Sequence, residues 1–256
     1  MLIPNNAAAQ IKKDYDRDGY IHLPGFLNAD EVRELLANLD RFVREVVPGL
    51  PKTDVFYEDK SQSTTLKQLI RINQHDGWFG RMMDDSDFTR LAELLLGRKT
   101  ASRNMQYFNK PPRIGLATPP HQDGYYWMID PCEGLTMWLA LEEVDEENGC
   151  VRYARGSHLR GMRPHSRTQT LGFSQGISDF PNADDRASEV VTRARPGDLL
   201  VHDARTVHWA DANTSASRTR KAMGLVYFSD RAKVDAEASA AYQKKLAEEL
   251  EKAGKI

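Results

Sequence analysis

Cysteine is scarce: only Cys132 and Cys150 occur in 256 residues. Two thiols cannot staple a chain of this length, so a packed core must hold the fold and a reducing compartment suits it. Positive charge shows no excess either, with 35 Lys and Arg against 37 Asp and Glu for a formal net charge of −2. Without clustered basic residues there is no counterion release to drive binding to a phosphate backbone, and no nucleic-acid partner is expected. Long apolar runs are missing as well, because no stretch approaches the roughly 20 residues that a membrane-spanning helix needs. The opening Met1-Leu2-Ile3-Pro4-Asn5-Asn6 lacks a basic region leading into an apolar run, and Gly254-Lys255-Ile256 is not a peroxisomal address. A cytoplasmic chain with no membrane partner is the expectation.

What is present is enough for a full core: 40% of the residues are hydrophobic, and the length suits one large β-rich domain. Residues 6–17 read as a polar helix and Gly19 to Leu23 as a first strand ending at Pro24-Gly25. Asn28 is a plausible cap for a helix whose Val32, Leu35, Leu36, Leu39, Phe42, Val43 and Val46 recur at three- and four-residue spacing. Leu66, Leu69 and Ile70 suggest a short helix, His75 a loop. A further helix starts near Asp85 and Ser86, carries Phe88, Leu91, Leu94 and Leu95 on one face, and stops at Gly97.

After Lys99 the period becomes strand-like. Ser102 to Lys110 alternates, and strand candidates follow at Leu135–Leu141, Cys150–Arg155, Glu189–Arg193, Asp198–His202 and Ala222–Phe228. Turns at Glu147-Asn148-Gly149 and Pro196-Gly197 separate several of them, and no helices intervene. Many short strands with turn punctuation argue a mainly β, antiparallel double-sheet barrel or jelly roll. Val234 to Lys252 reads as a solvated amphipathic helix. One domain over 1–256 is expected, with helical N-terminal support in 1–100, a jelly-roll core in 101–230 and a C-terminal helix in 231–256.

One stretch stands out within that core, His121-Gln122-Asp123, followed by Gly124-Tyr125-Tyr126-Trp127. On a strand, His121 and Asp123 would point the same way and Gln122 the other. A second histidine from a distant strand would complete the two-histidine, one-carboxylate triad that holds non-haem iron with open positions. His208 is the candidate, since a jelly roll brings distant strands side by side. Arg220 opens the strand after it, where a buried guanidinium could grip a carboxylate bidentately; Arg218 is a rival.

Taken together, the ordered motifs resemble the phytanoyl-CoA hydroxylase family. They are Phe108-Asn109-Lys110-Pro111-Pro112, His121-Gln122-Asp123, Glu147-Asn148-Gly149-Cys150, Gly156-Ser157-His158, Arg163-Pro164-His165, Pro196-Gly197-Asp198, His208 and Arg220-Lys221-Ala222. The resemblance implies a cupin-like double-stranded β-helix with N-terminal helices packed on one sheet, and a dioxygenase that uses Fe(II), 2-oxoglutarate and O2. It implies iron ligands at His121, Asp123 and His208, and Arg220 on the distal carboxylate of 2-oxoglutarate. Gln106 and Trp138 fall where the family lines the co-substrate pocket, and Arg71 falls where it places a co-substrate lysine. Because Asp123 keeps its carboxylate, hydroxylation or a related oxidation is implied rather than halogenation.

For substrate, Tyr125, Tyr126, Trp127, Arg152 and Arg155, with Arg160, Arg163, His165 and Arg167 from the long 159–185 connection, suggest an aromatic and cationic pocket. A small anionic or zwitterionic metabolite, such as an amino acid or aminophosphonate, is the expected substrate; an acyl-CoA is an alternative. A non-catalytic cupin-like metal-binding protein and a metalloenzyme that uses no keto acid are the rivals. His202 is expected to be a hydrogen-bond partner behind the metal or a core residue, and His158 to support a turn.

Overall fold

Helices in the first hundred residues form where the spacing places them, and their ends are set locally. The computed structural model describes residues 5–170, 173–252 and 254; the termini on which the localisation reading rests lie largely outside these. Asn28 caps the helix Ala29–Glu45, its side chain accepting from the backbone N–H groups of Asp30 and Glu31 while Glu31 reaches back to the Asn28 N–H. Ser86 caps Asp87–Leu96, which ends at Gly97 in the left-handed conformation. Shorter helices at Ile72–His75 and Gly77–Asp84 lie between them.

Two antiparallel sheets make the body. The larger runs in the order Tyr20–Leu23, Leu199–Asp203, Gly134–Ala140, Arg220–Ser229, Thr100–Lys110, Leu66–Leu69 and Val55–Tyr57. The smaller runs Glu189–Thr192, Val151–Ala154, His208–Ala210 and Thr118–His121. Period-two alternation divides the central strands between two environments. Met105, Tyr107, Leu135, Met137, Leu139, Val201, Met223 and Leu225 pack against the N-terminal helices. The alternate residues Trp138, Ala140, Leu200 and Ala222 face the smaller sheet and meet Val151 and Tyr153. This is the expected jelly roll, with helices covering one face of the large sheet and the interior between the sheets left for a site.

Three expectations are corrected. Leu66–Leu69 is a strand, not a helix, and all four of its residues are buried; a strand covered on both faces loses the alternation that would reveal it. His75 sits in the one-turn helix Ile72–His75, its Nε2 2.8 Å from Asp54. The connection after Leu159 is not an open loop: it forms the hairpin His165–Thr170 and Phe173–Ile177, then the helix Ala183–Ala187. The N-terminal third also contributes three strands to the large sheet beside its helices.

The Pro196-Gly197 turn is built for close approach. Gly197 has φ +91°, and a Cβ there would sit 2.3 Å from the Leu27 carbonyl oxygen. That contact, with the Leu27 N–H donating to the Gly197 carbonyl at 3.0 Å, ties the first strand region to the strand carrying His202. No helix among the described residues is long and apolar enough to cross a membrane.

Candidate active site

Strand pairing brings the two distant histidines together. Thr118–His121 runs antiparallel to His208–Ala210 with His208 directly opposite His121, and their ring centres are 4.1 Å apart. The strand ends at His121, and the chain turns through Gln122 into a short helix, Gly124–Trp127, with Asp123 in the right-handed helical conformation at its start. Strand alternation is therefore not what aligns Asp123 with His121. The turn does it, and Gln122 points away as expected, donating to the carbonyls of Gly161 and Arg205 and accepting from the Arg163 N–H.

Each ligand atom is aimed by a bond on its far side. His121 donates from Nδ1 to the Pro119 carbonyl at 2.8 Å, and His208 from Nδ1 to the Thr206 carbonyl at 3.0 Å, which leaves both Nε2 lone pairs facing inward. Asp123 Oδ2 accepts from Thr136 Oγ1 at 2.5 Å and from His202 Nε2 at 3.2 Å, so Oδ1 is the oxygen turned toward His121 and His208. Oδ1 lies 3.3 Å from His121 Nε2 and 3.7 Å from His208 Nε2. One ligand atom from each of His121, Asp123 and His208 falls within 4.8 Å of the others, a set able to hold one metal ion. Behind them, His202 Nδ1 lies 3.0 Å from the Tyr153 hydroxyl, which fixes the ring that braces Asp123.

The electrostatics suit a cation. Burial pushes the Asp123 carboxyl up, but the surrounding His208, His121 and His202 outweigh it and hold the group well below the usual carboxylate range. Burial, followed by the charges of His121 and His202, drives His208 well below the usual imidazole range, so its ring is neutral and free to coordinate. Two imidazoles and one carboxylate on one side are the donor set that ferrous iron takes with open positions.

Arg220 opens into the same cavity. It is 4% exposed, its guanidinium carbon lies 5.5 Å from the centre of the Trp138 ring, and its Nε has no hydrogen-bond partner. No ion pair to it exists among the described residues, and burial pushes it down to about 10, still cationic at neutral pH. A buried guanidinium without a counter-charge costs several kcal/mol unless a ligand supplies one. A dicarboxylate reaching from the metal cluster to Arg220 would supply it.

Comparisons with known proteins agree with this arrangement. The phytanoyl-CoA dioxygenase (PhyH) family profile matches residues 15–222, most of the chain. The chain belongs to the phytanoyl-CoA dioxygenase family. A probable alpha-ketoglutarate-dependent hypophosphite dioxygenase of Stutzerimonas stutzeri is 24% identical over 217 residues, covering 83% of this chain and 76% of the relative. The peroxisomal phytanoyl-CoA dioxygenase of Mus musculus is 25% identical over 215 residues, 79% of this chain and 63% of its own length. Among solved structures, the epimerase SnoN in complex with ferric iron, alpha ketoglutarate and nogalamycin RO has a TM-score of 0.71 at 25% identity, covering 90% of this chain and 86% of that one. EvdO2 from Micromonospora carbonacea var. aurantiaca, complexed with 2-oxoglutarate, has a TM-score of 0.69 at 27% identity, covering 92% and 94%.

Within this PhyH chain, the other expected site residues divide into two groups. Gln106, Trp138, Arg71 and Trp127 line the cavity that also takes in His121, Asp123, His208 and Arg220. Gln106 and Trp138 both stand opposite Gly224 on the neighbouring strands, so they flank the Arg220 strand on either side. Arg71 is spent on Asp54, which also takes His75. Tyr125, Arg152, Arg163 and His165 do not line the cavity. Arg152 pairs with Glu189 and Asp211, and Arg163 with Asp179 and Asp185. His165 stacks on Tyr125 with ring centres 4.1 Å apart and accepts from the Gln122 N–H at 3.2 Å, supporting the ligand turn from behind. Arg218 pairs with Asp145 and Glu147, which leaves Arg220 as the cation in the cavity at this strand.

Several site residues escaped the sequence reading. Lys67 is buried in the cavity wall 2.9 Å from Glu58, and reading its segment as a helix hid it. Asn148 donates to the Thr219 carbonyl and Asn213 to the Arg218 carbonyl, which fixes the start of the Arg220 strand. The most consequential omission is the C-terminal helix Ala236–Lys252, expected to be solvated. Tyr242, Leu246 and Glu249 line the outer end of the cavity, and Arg167 of the hairpin pairs with Glu249 at 3.1 Å and lies over the Tyr242 ring.

Proposed function

We propose that this chain is an Fe(II)- and 2-oxoglutarate-dependent dioxygenase that hydroxylates a small organic molecule. The observation that carries the reading is one cavity holding both a converging His-Asp-His donor set and an arginine with no counter-charge. His121, Asp123 and His208 would hold the iron through Nε2, Oδ1 and Nε2. Three protein ligands leave three positions of a six-coordinate ion, two for a chelating keto acid and one for dioxygen. Arg220 would hold the distal carboxylate, with Trp138 beneath the guanidinium. When bound, iron and co-substrate supply the oxidising chemistry, in which 2-oxoglutarate and dioxygen give succinate, carbon dioxide and an oxygenated substrate. This chain's own part is orientation and exclusion of water, through the hairpin His165–Thr170 and Phe173–Ile177 and the helix Ala236–Lys252 over the mouth. The similarity to SnoN, an epimerase, supports a related oxidation as the alternative outcome at the same centre.

Anaerobic addition of Fe(II) and then 2-oxoglutarate should produce a visible metal-to-ligand charge-transfer band. His208→Ala should abolish it, and a wild-type protein without the band would sink the reading in favour of a chain that does not use the keto acid.

A further inference from the structure

The cavity is large and its charges are already answered, and from this, given the oxygenase reading, the kind of substrate follows. It extends from the metal cluster to Tyr242 and Leu246 and holds about 880 Å³. Small-molecule pockets run to about 1,000 Å³, so this one lies near the upper end. 2-Oxoglutarate, a five-carbon diacid, would occupy only a minor share of it.

Five cationic side chains lie on the walls among the described residues: Lys67, Arg71, Lys110, Arg167 and Arg220. Lys67 is paired with Glu58, Arg71 with Asp54 and Arg167 with Glu249. Lys110 donates from Nζ to the carbonyls of Ala210 and Asp211, and burial followed by the charges of Arg220 and Lys67 holds it well below the usual amine range. Of the five, Arg220 is the one held by neither a carboxylate nor a backbone carbonyl, and the co-substrate would take it. The inner site then balances: two positive charges on ferrous iron and one on Arg220 meet one negative charge on Asp123 and two on 2-oxoglutarate. An ionised substrate entering the remaining space would shed its hydration without gaining a free opposite charge. What that space offers is apolar surface from Phe56, Ile70, Trp127 and Leu246, and uncharged polar groups from Thr170 and Gln243.

We propose that the substrate is an uncharged, largely apolar molecule bearing hydroxyl or carbonyl oxygens, well larger than 2-oxoglutarate, with its far end against the helix Ala236–Lys252. It differs from the anionic or zwitterionic metabolite expected from the sequence: of the residues behind that expectation, Tyr126, Trp127 and Arg167 line the cavity, whereas Arg152, Arg163 and His165 lie outside it. It also disfavours burying the phosphates of an acyl-CoA in this cavity, where among the described lining residues Arg220 is reserved for the co-substrate and no further free cation is offered. The helix lies beyond residue 222, where the family match ends, so this wall belongs to the part of the chain outside that match.

Two probes of one skeleton test the proposal. Protein loaded anaerobically with Fe(II) and 2-oxoglutarate is titrated with neutral N-phenyl-1-naphthylamine and with 1-anilinonaphthalene-8-sulfonate, which differs by a sulfonate. The neutral probe should bind more tightly by about tenfold or more, and Leu246→Arg should weaken it by about tenfold and narrow the difference between the probes. Leu246 is half-buried on a terminal helix, and the charge-transfer band read on the same samples shows whether the metal site is intact. Ala247→Trp, which fills the same wall without adding charge, should also weaken the neutral probe. Equal affinity for the two probes, or a neutral-probe affinity untouched by both variants, overturns the proposal while leaving the oxygenase reading in place. A missing band in the wild type overturns both.

Discussion

Arg220 is where burial and charge are most at odds. A guanidinium 4% exposed with an unpartnered Nε holds its charge in the interior without a counter-ion, and Trp138 gives it a planar seat. Charge-assisted hydrogen bonds contribute about 1.5–3 kcal/mol, so Arg220→Gln should raise the 2-oxoglutarate requirement roughly ten- to a hundred-fold. Titration of the charge-transfer band with co-substrate measures this directly; an unchanged midpoint would show that the carboxylate binds elsewhere. His165 makes the second residue-scale prediction. Burial first, then the neighbouring His121 charge, lowers its pKa below the ordinary 6.5, against a raising contribution from the Arg163 carbonyl. Its Nε2 accepts from the Gln122 N–H, a bond that protonation would break. Because the folded value lies below the unfolded one, the unfolded chain binds the proton more readily. The stability it lends is full above about pH 6.5 and is lost as pH falls from there through the folded value. Metal-free wild type should therefore lose more Tm between pH 7.5 and 5 than His165→Asn does, and parallel curves would refute the assignment.

At the scale of elements, what the sequence reveals is what local chemistry determines. Asn28, Ser86 and Gly97 mark their helices because a cap is satisfied by its own neighbours, and Pro196-Gly197 marks its turn because the left-handed conformation there favours glycine. The His121, Asp123 and His208 donor set is legible for a different reason: the ordered motifs carry it, although the strand geometry first invoked for Asp123 is replaced by a turn into helix Gly124–Trp127. Elements whose identity is set by tertiary contact stay hidden. Leu66–Leu69 is buried on both sides and so shows no alternation. Ser166, Arg167 and Thr168 give no apolar period, because their strand lies against the polar mouth of the cavity rather than a core. Helix Ala236–Lys252 looks solvated because most of its residues are exposed; only the narrow face of Tyr242, Leu246 and Ala247 reports that it closes a site. Which arginines face the cavity is hidden at this level too, since an arginine in sequence does not disclose whether a carboxylate such as Asp185 already holds it.

Across the whole molecule, the ligand-free fold carries an electrostatic cost in its interior that ligands should relieve. The cluster of His121, His202 and His208 around Asp123 and the unpaired Arg220 lie between the two sheets, on strands that also form the central core. Whatever binds there and not to the unfolded chain stabilises the entire cooperative unit by RT ln(1 + [L]/Kd), about 2.7 kcal/mol at a hundred times Kd. For a chain of this size, each kcal/mol shifts Tm by about 2–4 °C, so anaerobic saturation with Fe(II) should raise it by roughly 5–10 °C. 2-Oxoglutarate should then add a further rise in the iron-loaded protein. The order matters, because the keto acid gains its chelating contacts only once the metal is present, whereas Arg220 alone offers a single carboxylate contact. In metal-free protein the co-substrate shift should be small, and in Arg220→Gln the second rise should shrink while the first persists. A co-substrate shift of the same size with and without metal would mean that the two ligands do not share one cavity.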